Sequence, residues 1–100
     1  MYSIFYTFVR YGHYFKQVDT YYMGVFSFTD RNSLIELFEK EISKYDDIYK
    51  FKMTDDSNDN IITFTYEEDE NCSQVYKFSI LPCELNKVVG NDNVLNVADL

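Results

Sequence analysis

Four carboxylates stand in a row at Glu67, Glu68, Asp69 and Glu70, inside the stretch TYEEDEN, with no basic residue beside them. General acid–base catalysis needs two carboxyls whose surroundings push their pKa values apart. Four adjacent acids in a turn supply no such difference, so the run points to electrostatics rather than proton transfer. The loop DDSNDN at 55–60 places Asp55, Ser57 and Asp59 at alternate positions, as at the start of an EF-hand calcium loop. The pattern then breaks: the turn glycine is missing, Tyr66 occupies position twelve where a bidentate Glu is needed, and strands flank the loop where helices should. His13 is the single histidine, which excludes a His-rich metal site, and as a turn residue it reads as solvated. Cys72 and Cys83 belong to no paired-thiol or nucleophile motif. Three glycines make no phosphate loop, and no GxSxG is present. The sequence assigns no catalytic residue, no metal and no cofactor, and the expectation is that the protein is not an enzyme.

The elements that position these residues follow from the hydrophobic period. Ile4, Tyr6 and Phe8 alternate with Phe5, Thr7 and Val9, which predicts a first strand over Tyr2 to Arg10. A turn at Tyr11 to Tyr14 leads to a second strand over Val18 to Phe28, weakened at Gly24, and the two pair as a hairpin. Leu34, Phe38, Ile42 and Tyr45 recur at four, four and three, predicting a helix from about Ser33 to Tyr45. Ser33 with Glu36 forms a capping-box pattern, and Asp30 or Asn32 could also cap. Period two then returns: a third strand over Tyr49 to Thr54, a fourth over Ile61 to Glu67 and a fifth over Gln74 to Leu81. The order β-β-α-β-β-β predicts an α+β fold, an antiparallel sheet of about five strands with one helix on one face.

A chain of 100 residues is one domain by length, here 1–82, with a segment 83–100 of uncertain structure expected to dock on it. The opening MYSIFYTFVRYG has neither a charged leader region nor a smooth apolar core, and no stretch approaches a membrane span, so a soluble cytoplasmic protein is expected. Ten extended residues between Cys72 and Cys83 hold their sulfurs roughly 35 Å apart. Bridged Cα atoms need about 4.4 to 6.8 Å, so both are expected as free thiols, as in a reducing compartment.

Charge is unevenly shared. Met1 to Thr54 carries seven basic and seven acidic residues, whereas Asp55 onward carries two basic and ten acidic, the whole of the formal net charge of −8. In a meander, the 55–60 loop and the 67–70 turn lie at opposite ends of the fourth strand, so these acids line one edge or ring both ends. Acidic turns of this kind serve solubility and protect edges, or offer a field complementary to a basic partner. Direct binding to duplex nucleic acid is disfavoured, because phosphate contact dominates that affinity. Eleven Phe and Tyr rings fall in the first 28 residues, yet only Arg10 and Lys16 could accompany them in a stacking platform for single strands. Core packing and interface tyrosines fit those rings better.

In size, acidity and lack of catalytic residues the chain resembles, as a class, the small proteins that phages use against nucleic-acid-binding defence enzymes, anti-CRISPR proteins among them. It is similar in the same way to the immunity proteins that plug basic nucleases. The resemblance lies in composition and implies a non-enzymatic inhibitor acting as a nucleic-acid mimic on a basic protein. Its acidic edge would be Asp55, Asp56, Asp59, Glu67, Glu68, Asp69 and Glu70, with Tyr21, Tyr22 and Tyr66 as aromatic anchors. The alternative is a homo-oligomeric structural or small-ligand-binding domain, such as a homodimer, that works through the aromatic face of its sheet.

Overall fold

Strand β1 (Tyr2–Tyr11) turns at Gly12, whose N–H donates to the Phe15 carbonyl at 3.0 Å, and returns as β2 (Lys16–Phe26). Helix α1 (Arg31–Ser43) follows, then a 3₁₀ turn (Ile48–Lys50), β3 (Lys52–Asp56), β4 (Ile61–Glu67) and β5 (Ser73–Pro82). These elements belong to a computed structural model that describes residues 1–56 and 60–83. Every neighbouring pair of strands is antiparallel, in the spatial order β2-β1-β5-β4-β3. The protein is therefore an α+β fold, with the expected order of elements. Because β2 and β3 occupy opposite edges and run the same way, α1 crosses one face of the sheet in the reverse direction. No helix among the described residues is long and apolar enough to cross a membrane.

Alternation along the strands builds the core. Ile4 and Tyr6 of β1, Ile62 and Phe64 of β4, and Tyr76, Phe78 and Ile80 of β5 share the face beneath α1, and all are buried. The helix answers with Leu34, Phe38 and Ile42, a stripe at four-residue spacing that is likewise buried. Phe38 lies flat on Phe78, with ring centroids 4.0 Å apart and planes 10° apart, while Phe64 meets Phe78 edge-on. The opposite face carries Phe5, Thr7, Val9, Val18, Thr20, Tyr22, Thr63, Thr65, Val75 and Lys77, and no described element packs on it.

The helix starts at Arg31, ahead of the Ser33 start that the capping-box pattern suggests. Asp30, extended at φ −151°, accepts the Ser33 N–H at 2.8 Å and is the cap. That hydrogen bond holds the Asp30 carboxyl below its ordinary pKa. Arg31, one residue on, donates to Asp55 at 2.6 Å and ties the helix start to the end of β3. The third strand also differs from expectation. Tyr49 and Phe51 alternate with lysines as a strand would, but Asp47 accepts the Tyr49 N–H at 3.1 Å and curls Ile48–Lys50 into a 3₁₀ turn. Pairing is delayed to Lys52, and β3 then runs through Asp55 and Asp56, which the sequence places in a loop.

Gly24 shapes β2 rather than merely weakening it. Ile4 pairs with Gly24 and Phe5 with Tyr22, so Met23 is an extra residue in a β-bulge. The bulge flips the alternation beyond it and brings Phe26 to the helix side, where it packs against the core. Gly24 has φ 119°, a conformation that an L side chain adopts only under strain, although a Cβ there would meet nothing closer than 3.7 Å. Gly24→Ala is accordingly expected to lower stability by about 1–3 kcal/mol. In urea denaturation its midpoint should fall with an unchanged m-value, and an unaltered midpoint would contradict the bulge geometry.

Candidate functional site

The strand directions gather three loops at one end of the sheet. These are the β1–β2 tip around Gly12 to Phe15, the β4–β5 turn from Glu67 to Cys72, and the segment following α1 with Tyr45, Asp46 and Tyr49. Exposed rings crowd there: Tyr14 is fully exposed, Tyr49 is 94% exposed, and Tyr45 and Phe15 are open as well. Glu67, Glu68, Asp69 and Glu70 are exposed beside them. Asp69 accepts the N–H groups of Asn71 (2.8 Å) and Cys72 (3.0 Å). Those donors, the Asn71 N–H foremost, hold its carboxyl below the usual range and fix the shape of the turn. Glu68 accepts from the Gln74 amide at 3.0 Å.

Other sequence-derived candidates lie elsewhere. Asp55 and Asp56 sit at the far end of β4, roughly 20 Å from Glu67 at about 3.3 Å per residue. Asp55 is engaged by Arg31, and that hydrogen bond lowers its pKa. Asp59 lies outside the described residues. Of the two arrangements open to the acids, the described ones occupy both ends of the sheet rather than one continuous edge. Tyr21 and Tyr22 point to opposite faces of β2: Tyr21 stacks on Tyr6 at 5.0 Å on the helix side, and Tyr22 meets Phe5 at a tilt, centroids 4.7 Å apart, on the open side. Tyr66 is half-buried against Phe51, with the Lys50 ammonium 5.7 Å from its ring centroid.

At the same end as the acidic turn, on the helix side, lies a feature that sequence reading missed. Tyr6, Phe8, Tyr21, Tyr45, Tyr76, Gln17, Asp19 and Asp46 line a cleft of about 340 Å³. Two phenols in its wall are buried and satisfied: Tyr6 donates to Glu41 Oε2 at 2.9 Å, and Tyr76 donates to Asp46 Oδ2. Burial, then these carboxylate partners, drive both phenols far above their ordinary pKa, so they remain neutral donors. Gln17 donates to Asp19 at 2.8 Å on the rim. Among the described residues, no lysine or arginine lines the cleft. Aromatic walls with unneutralised carboxylates suit a guanidinium or ammonium group, through cation–π contact and charge-assisted hydrogen bonds. The signal was present only as period-two spacing of Gln17, Asp19 and Tyr21, which alone reads as strand surface.

In the second cleft at this end, about 320 Å³, the hairpin tip faces the acidic turn, and Arg10, His13, Phe15, Glu68 and Cys72 are among its walls. Partial burial raises the Cys72 thiol pKa, and the Asp69 and Glu68 charges raise it further, so it is a poor nucleophile at neutral pH. Cys72 and Cys83 are both free, with β5 stretched between them. Compared with known proteins, the chain matches no family model, no curated protein and no solved structure.

Proposed function

We propose that the protein is a non-enzymatic acidic binding protein that inhibits a basic partner by occupying the surface on which that partner holds nucleic acid. The observation that carries this reading is the placement of four turn carboxylates and an aromatic, carboxylate-lined cleft at one end of the sheet. The turn supplies a negative field for encounter, and the cleft receives an arginine or lysine side chain of the partner. Of the anchors named from sequence, Tyr21 serves here as a cleft wall. Asp55, held by Arg31, contributes to fold rather than to binding. An encounter of this kind suits a cytoplasmic antagonist of a defence enzyme or nuclease, the class suggested by size and composition.

The test uses a synthetic arginine-rich peptide bound to a short single-stranded oligonucleotide. The protein should displace the oligonucleotide, and the Glu67→Gln, Glu68→Gln, Glu70→Gln triple variant should do so about tenfold more weakly at low salt, with a flatter salt dependence. Asp56→Asn, at the other end, should leave displacement unchanged. Equal potency of the triple variant and the parent would refute the assignment. A second reading rests on the uncovered sheet face, where Phe5 and Tyr22 pack against each other: self-association through that face, seen by sedimentation as a dimer lost in Phe5→Ser but kept in the triple variant.

A further inference from the structure

The hairpin tip and the acidic turn bring together three side chains of different ligand chemistry. An imidazole nitrogen of His13, a carboxylate oxygen of Asp69 and the Cys72 sulfur all lie within 4.8 Å of one another. Three atoms so spaced share a point within about 2.8 Å of each. Zinc bonds to nitrogen, oxygen and sulfur run about 2.0 to 2.3 Å, so inward movements well under 1 Å, by exposed or half-exposed side chains, close the triangle. We propose that His13, Asp69 and Cys72 bind a zinc ion that clasps the β1–β2 tip to the β4–β5 turn.

The donor set selects the metal. Calcium and magnesium take oxygen ligands, whereas one imidazole and one thiolate favour a borderline transition ion, and three protein ligands leave the fourth tetrahedral position open. Glu68 and Arg10 line the same cleft and offset each other, so with Asp69 the charge beside the ion stays negative. As the sulfur–zinc bond forms, the thiol proton passes to solvent. Asp69 is already fixed by the Asn71 and Cys72 N–H groups, which orients it as an outer-shell hydrogen bond orients a ligand. Residues 13 and 69–72 are far apart in sequence, so the ion would join segments that meet only in the folded chain. This proposal is independent of the partner-binding reading, because its readout is metal affinity.

The experiment titrates the full chain, thiols kept reduced by a phosphine, with Co²⁺ as a spectroscopic substitute and then with Zn²⁺ against a chromophoric chelator. One equivalent should bind, with a thiolate-to-cobalt charge-transfer band. His13→Ala and Cys72→Ser should weaken zinc by about a hundredfold or more, since losing even an outer-shell partner costs 10–100-fold. Cys83→Ser should change nothing. Circular dichroism of each variant without metal confirms that the fold persists. Failure of the parent to take up zinc would overturn the proposal, as would a charge-transfer band retained in Cys72→Ser. So would uptake that survives both ligand variants but vanishes in the Glu67→Gln, Glu68→Gln, Glu70→Gln protein, because that marks diffuse attraction to acids.

Discussion

Phe38→Ala should remove about 3–5 kcal/mol of folding free energy, the loss expected when a fully buried phenylalanine leaves a cavity that its surroundings fill only in part. Phe38 is the middle of the helix stripe, and its ring lies flat on Phe78 at the centre of the sheet. Phe78 in turn touches Tyr6, Phe64 and Tyr76, so the vacancy opens onto rings of three strands. A small domain holds only about 5–15 kcal/mol in all. The melting temperature should therefore drop by roughly 12–40 °C, at about 4–8 °C per kcal/mol for a domain of this size. Phe38→Leu, which restores most of the volume, should lose far less. A loss below about 1 kcal/mol for the alanine variant would mean that α1 does not seal this face.

Raising the pH should unfold the protein through Tyr6 and Tyr76. Both phenols have folded-state pKa values raised above the ordinary value near 10, first by burial and then by Glu41 and Asp46. A raised folded pKa means that the unfolded chain loses the proton more readily. The stabilisation is complete below pH 10 and drains away as pH rises toward the folded values. Each phenol contributes a slope of up to about 1.4 kcal/mol per pH unit, and two give nearly 3. Urea titrations at pH 9, 10 and 11 should show this decline. In Tyr76→Phe the alkaline slope should shrink by about 1 kcal/mol per pH unit, whatever other groups contribute. A slope identical to the parent's would show that Tyr76 ionises without unfolding.

How far the sequence foretold this molecule depends on how local the signal was. Ile62, Phe64 and Tyr66 alternate with Thr63 and Thr65, and β4 falls where that period places it. The stripe Leu34, Phe38, Ile42 found the buried face of α1, while the competition among Asp30, Asn32 and Ser33 for the cap turned on which side chain reaches which N–H. Tyr49 misled because a strand alternation and a 3₁₀ turn differ there only by the Asp47 hydrogen bond. Gly24 signalled disturbance but not the bulge that returns Phe26 to the core. The candidate sites were hardest to see. The cleft joins Gln17 and Asp19 to Asp46 and Tyr76, and the His13–Asp69–Cys72 group spans most of the described chain. Beyond the strand-like spacing of Gln17, Asp19 and Tyr21, neither leaves a pattern in the sequence, because the pairings of β1 with β2 and β5 bring distant residues together.

The pairing of β1 with β5 also governs the order in which the chain can be completed. Tyr2 lies opposite Pro82 and Tyr11 opposite Ser73, so β1 waits during synthesis for β5, the last described strand. Translation at about 5–20 residues per second needs roughly two to nine seconds to travel from the end of β2 to the start of β5. Throughout that interval the nascent hairpin exposes the inner flank of β1, with its amides unsatisfied and its aromatic side chains wet, to any other growing chain. Yield in the cell is then expected to depend on the pace of elongation and on chaperone cover during those seconds, before the finished molecule has any stability to measure.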